Sequence, residues 1–212
     1  MQKPDTRRIL AEAFEELLKR NSYERISVAD ITAACGASRQ TFYNYFRDKH
    51  DLAVWITGQD AGMLPEGVRE RSFRQVEINF LRAMMRRSDF YRKTLPAEGQ
   101  NSLFQVMLAD GRAGCAALVE RGMGHPMDPA QAFAVDGFVC ALVMKRREWL
   151  MNGCPLPPET FCDYILQLLP ADLRRYFSGE GKEMPHEEEQ KEADPSGCSA
   201  SDGADSGRVR RR

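Results

Sequence analysis

Gly36 constrains this chain more than any other residue, because it stands between two short stretches that each carry helix-start signals. Ser27 can cap a helix whose third residue, Asp30, reaches back to the cap amide in an S-x-x-D box. Ile31 and Ala34, three apart, then share one face of that helix. Gly36 falls where the helix must end in a left-handed turn, a conformation that costs glycine little. Ser38 can cap a second helix and Asp48 a third, with Asp51 placed favourably in the third helix's first turn.

Sorting the second helix by angle separates two kinds of residue. Phe42 and Phe46, four apart, share a face and are expected to fill a small core. Gln40 and Asn44 point the opposite way, flanked by Thr41 and Tyr43, with Arg39 at the start and Tyr45 to the side. Eight helical residues span roughly 12 Å, about the width of a DNA major groove. Arginine and glutamine can bond guanine and adenine edges in pairs, and tyrosine and lysine reach phosphate oxygens. A merely solvated face is the plainer reading. Tyr43 and Tyr45 argue against it, since aromatic rings left on a polar face usually have a partner. The pattern suits a helix-turn-helix that binds double-stranded DNA.

Residues 6 to 56 resemble the N-terminal domain of the TetR family of bacterial transcriptional regulators. The resemblance rests on an apolar first helix, Ile31, Gly36-Ala37-Ser38, Thr41-Phe42-Tyr43, Tyr45-Phe46, Lys49 and Leu52. It implies DNA contacts at Ser27, Arg39, Gln40, Thr41, Tyr43, Tyr45 and Lys49. Tyr43 and Lys49 would hold the phosphate backbone, and Arg39, Gln40 and Tyr45 would read bases. Asn44 is a further candidate contact. Ala29 departs from members that carry a base-reading arginine on the preceding helix. The resemblance also implies a homodimer on a near-palindromic operator, with reading helices about 34–36 Å apart. The expected role is repression of neighbouring genes, relieved by an effector that shifts the balance between two states.

The remainder reads as all-α. Phe73, Val76, Phe80, Leu81 and Met84 mark a helix over about 73–87, after a connector punctuated by Gly62, Pro65 and Gly67. A helix from Leu103 to about Leu118 follows, ended by Gly122-Met-Gly-His-Pro. Two long apolar helices complete the pattern, Pro129 to Met151 and Pro158 to Phe177, with Pro170 expected to kink or end the last one. Three parts are predicted: a helix-turn-helix domain over 1–56, a helical regulatory and dimerisation bundle over 57–178, and a disordered tail over 179–212. A looser resemblance, carried by Phe90-Tyr91, Trp149-Leu-Met-Asn-Gly153 and Pro157, is to the C-terminal domains of TetR-type regulators of dihydroxyacetone kinase operons. Some of these respond to a protein partner.

Composition fits a globular protein, with 42% hydrophobic and 29% charged residues. The net charge of −1 conceals segregation, because residues 179 to 207 hold nine acidic residues against two lysines, so the remainder is more basic than the total. Arg208-Val-Arg-Arg-Arg212 could brush phosphates, although a solvated tail is the simpler reading. No apolar run approaches the ~20 residues that span a bilayer, and the expected location is cytoplasmic. Six cysteines form no C-x-x-C pair, and His50, His125 and His186 are dispersed. No phosphate loop, H-E-x-x-H or G-x-S-x-G motif is present, so neither catalytic residues, cofactor nor metal is expected.

For the regulatory bundle, Phe80, Met84, Phe104, Met107 and Phe138 are candidate pocket residues for a neutral, apolar or aromatic effector, with no charge evident among them. A plain core is the competing reading, and a regulatory protein would then take the effector's place. Leu142, Trp149, Leu168 and Phe177 are candidates for a four-helix dimer interface, because the two last helices carry more apolar residues than one core can hide. An all-helical interaction adaptor without sequence-specific DNA binding is the alternative function.

Overall fold

The computed structural model describes residues 5–62, 72–97 and 102–178. Among them every regular element is helical: α1 (Thr6–Arg20), α2 (Val28–Cys35), α3 (Arg39–Tyr43), α4 (Lys49–Gly62), α5 (Phe73–Arg86), α6 (Ser88–Thr94), α7 (Leu103–Met123), α8 (Pro129–Met151), α9 (Pro158–Leu166) and α10 (Ala171–Ser178). The expected connector residues Pro65 and Gly67 and the tail 179–212 lie outside the described residues. No helix among the described residues is long and apolar enough to cross a membrane.

Helix α1 starts at Asp5, whose carboxylate accepts from the Arg7 amide, and buries Leu10, Ala11, Phe14 and Leu18 along one stripe. That stripe closes over α2, α3 and α4 through Ile31, Phe42, Leu52 and Ile56, all buried. On α2 the buried partner of Ile31 is Thr32, and Ala34, expected beside Ile31, faces solvent. The three-residue spacing chose the wrong neighbour on so short a helix.

One continuous buried cluster runs from Leu10 to Phe177. Phe14 on α1 meets Phe90 on α6 edge to face, with ring centres 6.3 Å apart. Farther along, Phe73, Phe138 and Phe177 form a mutual trio with centres 5.0–5.9 Å apart, joining α5, α8 and α10. The α7 and α10 helices approach closely at Gly122, where a methyl group would collide with the Tyr176 ring.

Two helical stretches are each divided in the structure. Pro170 divides the last predicted helix into α9 and α10, and its carbonyl accepts from the Leu173 and Arg174 amides to start the second. Arg87 (φ −107°, ψ 36°) breaks the chain between α5 and a short α6 that periodicity alone did not separate.

Three of the four expected dimer contacts are core residues. Leu142, Trp149 and Phe177 are buried within the chain, and the Trp149 indole N–H donates to the Leu156 carbonyl at 2.9 Å. Only Leu168 is exposed, at 56%. Helix α8 is apolar on more than one side, so its inner stripe packs inward and leaves Phe133, 82% exposed, and Met144 outside. Tyr164 on α9 and Leu168, just past the end of that helix, are exposed as well.

Candidate nucleic-acid interface

The α2–turn–α3 unit is built from local bonds that its sequence supplies. Ser27 and Asp30 form the reciprocal capping box: the Asp30 amide donates to Ser27 Oγ at 3.3 Å, and the Ser27 amide donates to Asp30 Oδ2 at 2.8 Å. The Ser27 hydroxyl also donates to Asp30 Oδ2 at 2.7 Å, and these bonds hold the Asp30 carboxyl below its usual range. Gly36 sits at φ +67°, the left-handed turn that frees the chain to reverse into α3. Ser38 caps α3 through the Thr41 amide at 3.0 Å, and Asp48 caps α4 through the Asp51 amide at 2.8 Å.

Phe42 and Phe46 plug the core beneath α3, with ring centres 5.8 Å apart. Regular α-helix covers only Arg39–Tyr43, five residues instead of eight, but the Phe46 amide still donates to the Phe42 carbonyl at 3.0 Å. The turn therefore carries on far enough to bury the second phenylalanine.

Arg39, Gln40, Tyr43, Asn44 and Tyr45 stand exposed around this plug, with Tyr43 54% open. The Gln40 side-chain amide donates to Asn44 Oδ1 at 3.1 Å, which holds two amide side chains in register one turn apart. That bond leaves Gln40 Oε1 as an acceptor and the Asn44 NH2 group as a donor, types that adenine and guanine edges match. Thr41 is half-buried and shares a hydroxyl bond with Ser38 at 2.9 Å. Arg7, which sequence reasoning passed over, lies with its guanidinium 5.7 Å from the centre of the Tyr45 ring. The start of α1 thereby adds a cation beside the aromatic edge of α3. The adjoining Arg7-Arg8 pair was the available signal.

Lys49, expected to hold the phosphate backbone, is bonded within the chain in this structure. Its ammonium donates to the carbonyls of Tyr23 (2.7 Å), Glu24 (3.2 Å) and Ile26 (2.9 Å), and lies 4.5 Å from the centre of the Tyr23 ring. All three N–H donors are thus engaged inside the chain, and burial draws its pKa below the ordinary lysine value.

In the helical body, Phe80, Met84, Met107 and Phe138 are buried side chains of the core. Phe104 is the one expected pocket residue on an open cleft, of about 250 Å³, which it shares with Leu95, Pro96, Ala97, Ser102, Gln105 and Arg147. No candidate pocket residue is itself charged, but a charged group lies beside Phe80. The Arg146 guanidinium lies 4.9 Å from the Phe80 ring centre and forks onto the carboxylate of buried Glu77. Glu77 falls on the Phe73–Phe80–Met84 stripe of α5, so its helical position gave the signal.

Residues 9–54 match the family model described as "Bacterial regulatory proteins, tetR family". The "HTH-type dhaKLM operon transcriptional activator DhaS" of Lactococcus lactis subsp. lactis (strain IL1403) is 35% identical over 176 residues, covering 82% of this chain and 93% of that protein. Among solved structures, a "Dihydroxyacetone kinase operon activator DhaS" superposes with a TM-score of 0.61 at 24% identity, covering 81% of this chain and 98% of that one. The fatty acid degradation regulator FadR from Bacillus halodurans gives 0.51 at 13% identity, covering 79% and 96%. These two likenesses speak to fold. With the helix-turn-helix geometry and the curated relative taken together, the chain belongs to the TetR family of bacterial DNA-binding transcriptional regulators and is not an enzyme.

Proposed function

We propose that this regulator binds a near-palindromic operator as a homodimer, with α3 of each copy in a major groove. The observation that carries the reading is the division of α3: Phe42 and Phe46 are buried beneath it while Arg39, Gln40, Tyr43, Asn44 and Tyr45 stand outward. Arg39, Gln40 and Tyr45 read base edges, and Tyr43 holds the phosphate backbone. Ser27 and Thr41 orient the helices through their caps, with Arg7 as an added phosphate contact. Lys49 acts indirectly, by holding the chain that leads into α2. The copies meet through the open sides of α8 and of α9 with the turn after it, at Phe133, Met144, Tyr164 and Leu168, where large apolar groups would otherwise remain in water.

The sign of regulation in this reading is activation, in place of the repression expected from the sequence. Support comes from the Lactococcus relative, whose name makes that protein an activator of the dhaKLM operon. Control through a protein partner fits better than a neutral apolar effector, because Phe80, Met84, Met107 and Phe138 are closed into the core. Purified protein mixed with a random DNA library would select one palindromic sequence. A reporter driven by that sequence would then fall when the regulator is deleted. Failure to enrich any sequence would reject operator binding, and a rise on deletion would restore the repressor.

A further inference from the structure

The stretch from Leu18 to Ile26 runs from the last turn of α1 toward the helix-turn-helix, and two lysines from later in the chain grip its main-chain carbonyls, one at each end of the stretch. Lys93 on α6 donates its ammonium to the carbonyls of Leu18, Lys19 (3.4 Å) and Asn21 (3.2 Å), at the C-terminal end of α1. Lys49 on α4 takes the next set, Tyr23, Glu24 and Ile26. A cation at a helix C-terminus answers both the unsatisfied carbonyls and the helix dipole, which favours the Lys93 grip, while the Lys49 grip satisfies carbonyls of the turn that follows α1.

The same junction is packed by a chain of rings. Phe90 on α6 contacts Phe14 on α1 at 6.3 Å, Phe14 contacts Tyr23 at 6.1 Å, and Tyr23 contacts His50 on α4 at 5.2 Å. The Tyr23 hydroxyl is 2.7 Å from His50 Nδ1. Helix α6 is fastened to the same helices at its other end. The buried Tyr91 hydroxyl donates to Asp60 Oδ2 on α4 at 2.7 Å, and Arg87, just before α6, pairs with Glu15 on α1 at 3.3 Å.

We infer that Lys93 is a positioning residue for operator recognition: by clamping the α1 C-terminus to α6, it fixes the angle at which the helix-turn-helix stands on the body. The inference rests on the dimeric operator reading, since in a dimer that angle sets the distance between the two α3 helices. A rigid angle admits one half-site spacing, and a loosened one tolerates several. The clamp is three bonds from one flexible side chain, flanked by well-packed rings. Its loss therefore softens the joint without removing the core beneath it.

The test compares full-length wild type, Lys93→Met and Lys93→Arg on the selected operator and on versions with the spacer one base pair longer or shorter. Wild type prefers the native spacer. Lys93→Met is expected to narrow that preference by roughly two- to thirty-fold, while Lys93→Arg, which keeps a cation and several donors, restores most of it. Amide hydrogen exchange is expected to rise across residues 21–26 in Lys93→Met and to stay unchanged in α8. Should Lys93→Met fail to fold, Lys93→Gln, which keeps two N–H donors without the charge, takes its place. Unchanged spacing preference in the folded variant overturns the inference. A wild type that prefers no sequence at all overturns the operator reading instead, so the two failures are separable.

Discussion

The Arg146 guanidinium on α8 forks onto the Glu77 carboxylate on α5, with Nε donating to Oε1 at 2.7 Å and a second N–H to Oε2. Glu77 is buried, with its side chain 2% exposed, Arg146 is largely covered at 13%, and the Phe80 ring lies against the cation. A pair removed from water gains little over an apolar pair of equal volume, but a single partner left behind is costly. Glu77→Leu or Arg146→Met alone is therefore expected to destabilise the fold by about 3–5 kcal/mol. The double replacement should recover most of that loss. Chemical unfolding of the three variants checks it, and equal losses that simply add would show that the two side chains do not act as a pair.

Gly36 supplies a second expectation. A Cβ placed there meets nothing within 4 Å, so any cost of Gly36→Ala comes from the backbone at φ +67° and not from a clash. The left-handed conformation costs an L-residue about 1–2 kcal/mol. Thermal unfolding should register a loss of that size for Gly36→Ala and a smaller one for Gly36→Asn, because asparagine tolerates this region better. An unchanged melting temperature in Gly36→Ala would mean that the turn does not need the left-handed residue.

The open sides of α8 and of α9 with the turn after it separate assembly from stability. Phe133→Glu and Leu168→Glu place charges on exposed positions, so the monomer should keep its melting behaviour while sedimentation shifts from dimer to monomer. Phe177→Ala removes a side chain fully buried among Phe73 and Phe138, and should cost about 3–5 kcal/mol whatever the oligomeric state. A Phe133→Glu/Leu168→Glu double variant that sediments as a dimer would move the interface elsewhere.

Local chemistry made the N-terminal third readable from sequence. Ser27, Asp30, Gly36, Ser38 and Asp48 all act within four residues of themselves, and the structure uses each as its type suggests. The burial of Phe42 and Phe46 followed from a four-residue spacing. Features that depend on distant partners were harder to read. Lys49 reaches back 23 to 26 residues to its carbonyls, and Lys93 reaches 72 to 75, so neither bond leaves a mark on its own helix. The inward and outward sides of α8 could not be told apart because apolar residues surround it. Leu142 and Trp149 thus looked suitable for an interface although the fold turns them inward.

The central claim is that the exposed face of α3 reads DNA while Lys49 only holds the frame. Binding to the selected operator, titrated against salt, tests it with Arg39→Ala, Gln40→Ala and Lys49→Met side by side. Arg39→Ala and Gln40→Ala are each expected to lose about 1–3 kcal/mol on the operator and far less on unrelated DNA. Lys49→Met, whose ammonium is donated to three carbonyls, should leave the slope of affinity against salt at its wild-type value, because no phosphate contact disappears. Full operator selectivity in Arg39→Ala and Gln40→Ala, together with a salt slope flattened by Lys49→Met, would contradict the account.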